Sequence, residues 1–357
     1  MKFLSSKNIE LLFLRLAEIT ALYCPVRQYA ATSSEYVVNF DKWNPEREVD
    51  LRENLTVTSP KGYFFRHYEP LYDASVSSEI SIVPANLPQE PFVLFGVRAC
   101  DLRGIELLDG VFLEEPVDSF YKARRDAATI ITVACDKSDK ACFCATFDID
   151  RLSPGGDVQL KPVTKKINDS GIESGSLPGD SGSDSVCVSN FGGFIWKALT
   201  EKGEKLTAEI KDLLDTTHVL EENDFAEQAK HPLPPQEELL KVFNSDVWEN
   251  LYETCIACGS CTFVCPTCQC YDIMNFNTGT KIKCHRAWDS CMNEDFTKMA
   301  HGNPRKSHKE RFRQRFMHKL VYHIESGEKY GCVGCGRCTT KCPVNLSILK
   351  VVKALGV

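Results

Sequence analysis

The 357-residue sequence has no run of about 18 apolar residues, which argues against a membrane-spanning helix. It has no basic excess either. Its 42 Lys and Arg against 49 Asp and Glu leave a formal charge of −7, which argues against nucleic acid as a partner. No G-x-G-x-x-G follows a strand-like segment, no nickel-type C-x2-C pair stands outside the two cysteine motifs described below, and no His/Asp/Ser group can be placed as acid–base machinery. The usual parts of a substrate site are therefore missing. The opening stretch MKFLSSKNIELLFLRLAEITALY has the apolarity of a secretory signal, but Glu10, Arg15 and Glu18 interrupt it and no small-residue cleavage site follows. Ile9, Leu12, Phe13, Leu16, Ile19 and Tyr23 recur at helical spacing, which predicts an amphipathic helix on a core and a cytoplasmic protein.

What the sequence has in excess is cysteine. There are 18, and twelve of them lie between Cys255 and Cys342. A secreted disulfide scaffold is shorter and spreads its cysteines through loops; clustering at ligand spacing points to metal in a reducing compartment. Cys255, Cys258, Cys261, Cys265 and Pro266 form one C-x2-C-x2-C-x3-C-P motif, and Cys332, Cys335, Cys338, Cys342 and Pro343 form a second. Three thiolates on one tight loop reach three irons of a cube. The fourth opens the next helix and, in two-cluster ferredoxins, serves the other cluster. The predicted ligand sets for two [4Fe–4S] clusters are thus Cys255, Cys258, Cys261 and Cys342, and Cys332, Cys335, Cys338 and Cys265. Gly259, Gly334 and Gly336 allow the backbone to close around sulfur. Structural zinc, which takes four ligands as two C-x2-C pairs, fits two triplets poorly.

Residues 1–245 read as an α/β domain with a partly parallel sheet, and 246–357 as a mainly helical, ferredoxin-like dicluster domain, joined through HPLPPQEE at 231–238. Phe92 to Val97 and Thr129 to Ala134 are apolar strand-like runs with a helix between them, capped by Asp101; strand, helix, strand predicts a βαβ unit. Residues 153–185, rich in Gly, Ser, Asp and Pro, read as an exposed loop with at most one short strand. The spacer of 66 residues between Cys265 and Cys332 carries Phe312, Phe316, Leu320 and Ile324 every four residues, a helix that Gly327 can end. Arg305, Lys306, Lys309, Arg311, Arg313, Arg315 and Lys319 read first as the solvated face of that helix; favouring reduced clusters or docking an acidic partner is the alternative.

Cys100 and Cys135 each follow one of the two strands. If those strands are parallel neighbours, both thiols emerge at one sheet edge, near Cys142 and Cys144. Four thiolates there suit a third [4Fe–4S] cluster; small buried thiols or a zinc site are the alternatives from the pattern alone.

FGVRACDLRGIELLD, ACDKSDKACFC, CIACGSCTFVCPTCQCYD, RAWDSC and GCVGCGRCTTKCP together resemble the β subunit of cytoplasmic multisubunit NiFe hydrogenases of the sulfhydrogenase type, and equally the A-type subunit of anaerobic sulfite reductase. The likeness runs from about Leu22 to Val351 and is weakest between about 150 and 245. It implies an electron-transfer subunit with no substrate site of its own. Such a protein sits between a flavoprotein that handles NAD(P)H and a catalytic, second electron-transfer or heterodisulfide-reductase-like subunit, with the flavin on the partner. Cys100, Cys135, Cys142 and Cys144 fall on the family pattern, which favours the third cluster. Cys268, Cys270 and Cys291 fall on it too, as structural thiols or substitute ligands; Cys24, Cys187 and Cys284 lie outside it. The competing readings are a flavin-binding oxidoreductase with its own small-molecule site in the α/β domain, and a non-redox zinc scaffold.

Overall fold

The computed structural model describes residues 2–31, 34–52, 55–76, 79–164, 186–187, 191–215, 227–324 and 329–355. Most of the 153–185 loop and Gly327 lie outside the described residues.

A ten-stranded mixed sheet organises the first half. Its centre is parallel: Ala21–Tyr29, Phe92–Val97, Ala128–Val133 and Val158–Thr164 lie side by side in that order. Phe191–Ala198, Lys2–Ser5 and Leu214–Asp215 extend it antiparallel. The expected βαβ unit is present, with two crossover helices, Ala99–Phe112 and Ser119–Ala127. Side chains alternate across the strands as the pleat requires. Val93, Phe95, Ile131 and Val133 join Phe13, Leu16 and Trp196 on one face. Leu94, Val97, Ala128 and Ile130 join Phe64, Phe65, Leu108 and Tyr121 on the other. The N-terminal helix spans Ile9–Ile19 and buries Ile9, Leu12, Phe13 and Leu16. It stops short of Tyr23, which belongs to the following strand.

Asp101 does not cap the crossover helix. The N-cap is Arg98, without a side-chain bond, and Asp101 sits in the first turn, wholly buried, against Arg337. A partner distant in sequence has claimed the carboxylate that local pattern assigned to the helix end.

The second sheet draws strands from both sides of residue 245. Its order is Tyr271–Asn277, Lys281–Trp288, Tyr68–Val76 and Ile80–Pro84, all antiparallel. Buried Glu69 accepts from both terminal guanidinium nitrogens of Arg124, and Arg286 pairs with Asp118, so this sheet is tied to the helix Ser119–Ala127. The spacer between the cysteine motifs thus holds a hairpin as well as its helix. That helix, His308–Met317, opens on a capping box made by Ser307 and Glu310 and runs into a π turn at His318–Tyr322. Phe312, Phe316 and Leu320 pack with Trp248, Val351 and Phe143 into the core of the second half.

Candidate metal centre

Each cysteine motif forms a loop leading into a single helical turn, Ser260–Phe263 in the first and Arg337–Thr340 in the second. Cys255, Cys258, Cys261 and Cys342 line one cavity of about 430 Å3, open mouth included, together with Arg315. Backbone N–H groups point at its sulfurs: Ala257 at Cys255 (3.4 Å) and Leu346 at Cys342 (3.3 Å). Hydrogen bonding with Ser260 holds Cys258, the exposed member, below its ordinary pKa.

Cys265 sits beside Thr267 and Lys319, both of which donate to the Gly331 carbonyl next to Cys332, and its charge is felt by Cys332 and Cys335 of the second triplet and by Cys261 of the first. Burial raises the Cys332 thiol and pushes that of Cys335 up to about 12. Cys265 goes the other way. A hydrogen bond from Cys268, with Lys319 Nζ at 3.3 Å and Thr267 Oγ1 at 3.2 Å, holds it well below its ordinary value.

Cys100, Cys135, Cys142 and Cys144 lie near one another where the parallel strands end, with the charge of Cys135 felt by the other three. Cys100 occupies the first turn after Phe92–Val97, and Cys135 follows Ala128–Val133. Burial raises the thiols of Cys100, Cys135 and Cys142, and that of Cys144 to about 11. Gln228 stitches the 142–145 turn together, accepting from Ala145 N–H (2.9 Å) and donating to the Cys142 carbonyl (3.0 Å). This group abuts the second motif. Cys142 Sγ lies 3.5 Å from the Cys335 carbonyl, and Phe143 N–H donates to the Gly334 carbonyl at 2.7 Å. Gly334 and Gly336 are left-handed, at φ 59° and 81°, and a Cβ on either would come within 2.5 Å and 2.4 Å of the Phe143 and Ala141 carbonyl oxygens. Here glycine serves both the turn and the close approach of two cysteine loops.

The same seam holds a buried ion pair that the sequence reading missed. Arg337, between Gly336 and Cys338, meets Asp101, next to Cys100, in a fork of 2.6 and 2.8 Å, and its remaining donors bond Thr56.

Three of the helix cations are buried rather than solvated: Arg311, Arg315 and Lys319. Arg311 satisfies backbone carbonyls, among them Met292 at 3.1 Å. Arg315 and Lys319 differ. Burial opposes their charge, yet both are held above their ordinary values, Arg315 by Cys261 and Cys338 and Lys319 by Cys265 and Cys268. Arg315 Nε and Nη2 find no hydrogen-bond partner among the described residues. A buried cation requires a compensating anion, and a [4Fe–4S] core with its thiolates supplies about two negative charges. The residues present therefore fit such a group. Among the described residues no three His, Cys, Asp or Glu side chains converge closely enough for a single ion. A cube takes each thiolate at a different iron, so its ligands stand apart.

No helix of the described residues is long and apolar enough to cross a membrane. Residues 254–346 match the family model of the 4Fe–4S dicluster domain. The chain is 30% identical over 356 residues to sulfhydrogenase 2 subunit beta of Pyrococcus furiosus, covering 95% of this chain and 93% of that protein. No solved structure matches. With that identity along nearly the whole sequence, and a dicluster domain within it, the chain belongs to the sulfhydrogenase β-subunit family.

Proposed function

We propose that this protein is an iron–sulfur electron relay in a cytoplasmic, hydrogenase-type complex. It would take electrons from a flavoprotein that handles NAD(P)H and pass them to a catalytic or second electron-transfer subunit, or run the reverse course. The observation that carries this reading is the pair of buried cations, Arg315 and Lys319, whose charge-compensating neighbours are cysteines. Cys255, Cys258, Cys261 and Cys342 would hold one [4Fe–4S] cluster; Cys332, Cys335, Cys338 and Cys265 a second; Cys100, Cys135, Cys142 and Cys144 a third. Residues 246–357 remain the cluster-bearing domain in this reading, with 1–245 supplying the third site.

The clusters supply single-electron transfer. The chain's own groups order and tune them. Backbone N–H groups of Ala257 and Leu346 lower the electron density on sulfur, and Arg315 and Lys319 stabilise added negative charge. Converting a hydride into single electrons is flavin chemistry, which is assigned to the partner.

Anaerobically reconstituted protein should be brown and contain no fewer than about 12 irons and 12 sulfides per chain. It should accept electrons from dithionite, yet turn over neither hydrogen, sulfite nor NAD(P)H until a flavin subunit and a terminal subunit are added. A count near 8 removes the third cluster. Turnover of NADH by the flavin-free single chain at the rate of a whole complex refutes the relay.

Arg315→Gln removes the cation from the wall of the first cavity while keeping much of its bulk. Potentiometric titration should show that cluster becoming harder to reduce. The shift should be on the order of 100 mV, as for one charge a few ångströms away at an effective dielectric of about 20.

A further inference from the structure

A second cavity, of about 330 Å3 with its open mouth included, shares Arg315 with the first and is also walled by Cys268, Cys270, Cys291 and Lys319. Its three cysteines stand outside the ligand sets above, and they are not alike. Cys268 shares a hydrogen bond with Cys265, a ligand assigned to the second cluster. Cys270 is paired instead with Cys291. The hairpin makes that second pair. Tyr271 sits opposite Trp288, and Asp289 N–H donates to the Cys270 carbonyl at 3.0 Å. The two strands thus close as a clasp, and Cys291 presents both its thiol and its backbone N–H to the Cys270 sulfur.

The two members of the pair differ. Cys270 is half-buried and Cys291 buried. The hydrogen bonds from Cys291 bring the Cys270 thiol down to about 7, while the same contact and burial push that of Cys291 up. A reachable, acidic thiol backed by a buried second thiol is the arrangement of an attacking and a resolving cysteine. From hydrogen-bond contact, only a local closure separates the two sulfurs from the ~2.0 Å of a disulfide. The surroundings are cationic. Arg315 and Lys319 line the cavity, and buried Lys61 donates to the Cys268 carbonyl at 2.7 Å. Cys270 feels the charges of Lys319 and Lys61. Such walls favour a thiolate and draw in an anionic reagent.

We propose that Cys270 and Cys291 form a reversible disulfide by reaction with small anionic disulfides, and that the state of this pair sets how readily the second cluster takes an electron. The Cys270 thiolate attacks one sulfur of the small disulfide, forms a mixed disulfide and releases one thiolate. Cys291 gives up its proton, attacks the Cys270 sulfur and releases the other thiolate. Two electrons leave the pair and reduce one disulfide to two thiols; none is drawn from a cluster. The coupling runs through Lys319, which lies 3.3 Å from Cys265 and whose charge reaches both Cys270 and Cys291. In the dithiol state Cys270 and the cluster share that cation. A disulfide is neutral and leaves the cation to the cluster, whose reduction it then favours. The bridge stands on the geometry of the pair, and the coupling rests on the relay reading above.

The test treats the full, anaerobically reconstituted chain with oxidised glutathione, still without air. Free thiols are then alkylated under denaturing conditions and the peptides mapped by mass. A peptide linked through Cys270 and Cys291 should be recovered and should disappear after dithiothreitol, with iron content unchanged. The midpoint potential of the second cluster should be higher in the treated protein and return with dithiothreitol. Cys270→Ser/Cys291→Ser should keep its iron and show no such shift. Should that variant fail to fold, the same wild-type sample before and after dithiothreitol carries the comparison. Both cysteines alkylated, glutathione retained on Cys270 with Cys291 free, or a Cys265–Cys268 bridge in their place would each overturn the site. A Cys270–Cys291 bridge that leaves the potential unmoved would overturn the coupling. A wild type that binds no iron would sink the relay, and the peptide map would still decide the bridge.

Discussion

Cys342→Ser is expected to cost the protein the cluster bound by Cys255, Cys258 and Cys261, and to leave the one bound by Cys332, Cys335 and Cys338. Cys342 is the last cysteine of the second motif, yet its side chain lines the cavity of the first triplet. The Cys255 thiol feels its charge, and Leu346 N–H points at its sulfur. Serine keeps the shape but is a poor ligand for iron. About four irons and four sulfides should be lost. Cys265→Ser should injure the second cluster instead, and there the loss also strips Lys319 of its nearest anion, at 3.3 Å. The two variants are told apart by the cluster signal that survives. If Cys342→Ser lost only the second cluster's signal, each motif would serve a single cluster and the crossed arrangement would be wrong.

Arg337→Ala is expected to destabilise the fold by about 3–5 kcal/mol, the usual loss when one member of a buried ion pair is removed and the other is left charged. Asp101 and Arg337 are each only 1% exposed, and Arg337 also satisfies Thr56 twice. Aspartate left alone there would have to take up a proton or draw in water. The damage should also be local. Arg337 neighbours Cys338 and Asp101 neighbours Cys100, so the second and third cysteine groups lose their common strut. Denaturant unfolding measures the first effect, and iron content at low denaturant the second. A change below about 1 kcal/mol, with full iron retained, would show that the pair is dispensable. Arg337→Lys should recover only part of the loss, because an ammonium cannot reproduce a fork on a carboxylate.

The cysteine motifs were legible because they are local: three thiols on a short loop need only sequence spacing. The strands Phe92–Val97 and Ala128–Val133 were legible because a buried parallel strand is apolar on both faces. Cys100 and Cys135 could be placed at one edge on that basis alone. The clasp hairpin was not read. Tyr271–Asn277 is exposed along its whole length and has no buried face to set a period of two, although Asn277-Thr278-Gly279 is a fair turn signal. The helix beyond it was found from Phe312, Phe316 and Leu320, but the fate of its charges was not. Arg311, Arg315 and Lys319 repeat with the same four-residue period one position earlier, so they lie along the edge of the apolar stripe. Nothing in the sequence marks them as buried, because what compensates Arg315 and Lys319 is folded around rather than encoded. Asp101 was misassigned for a related reason: its partner is 236 residues away.

The contact between Gly334 and Phe143 also has a meaning for how the protein is made. Gly334 leaves the ribosome roughly 190 residues after Cys144, which at ~5–20 residues per second is ~10–40 s. Through that interval Cys100, Cys135, Cys142 and Cys144 lack the second motif, whose loop packs on them in the finished fold. Newly made chains thus carry these four thiols unprotected until the last motif arrives to close over them.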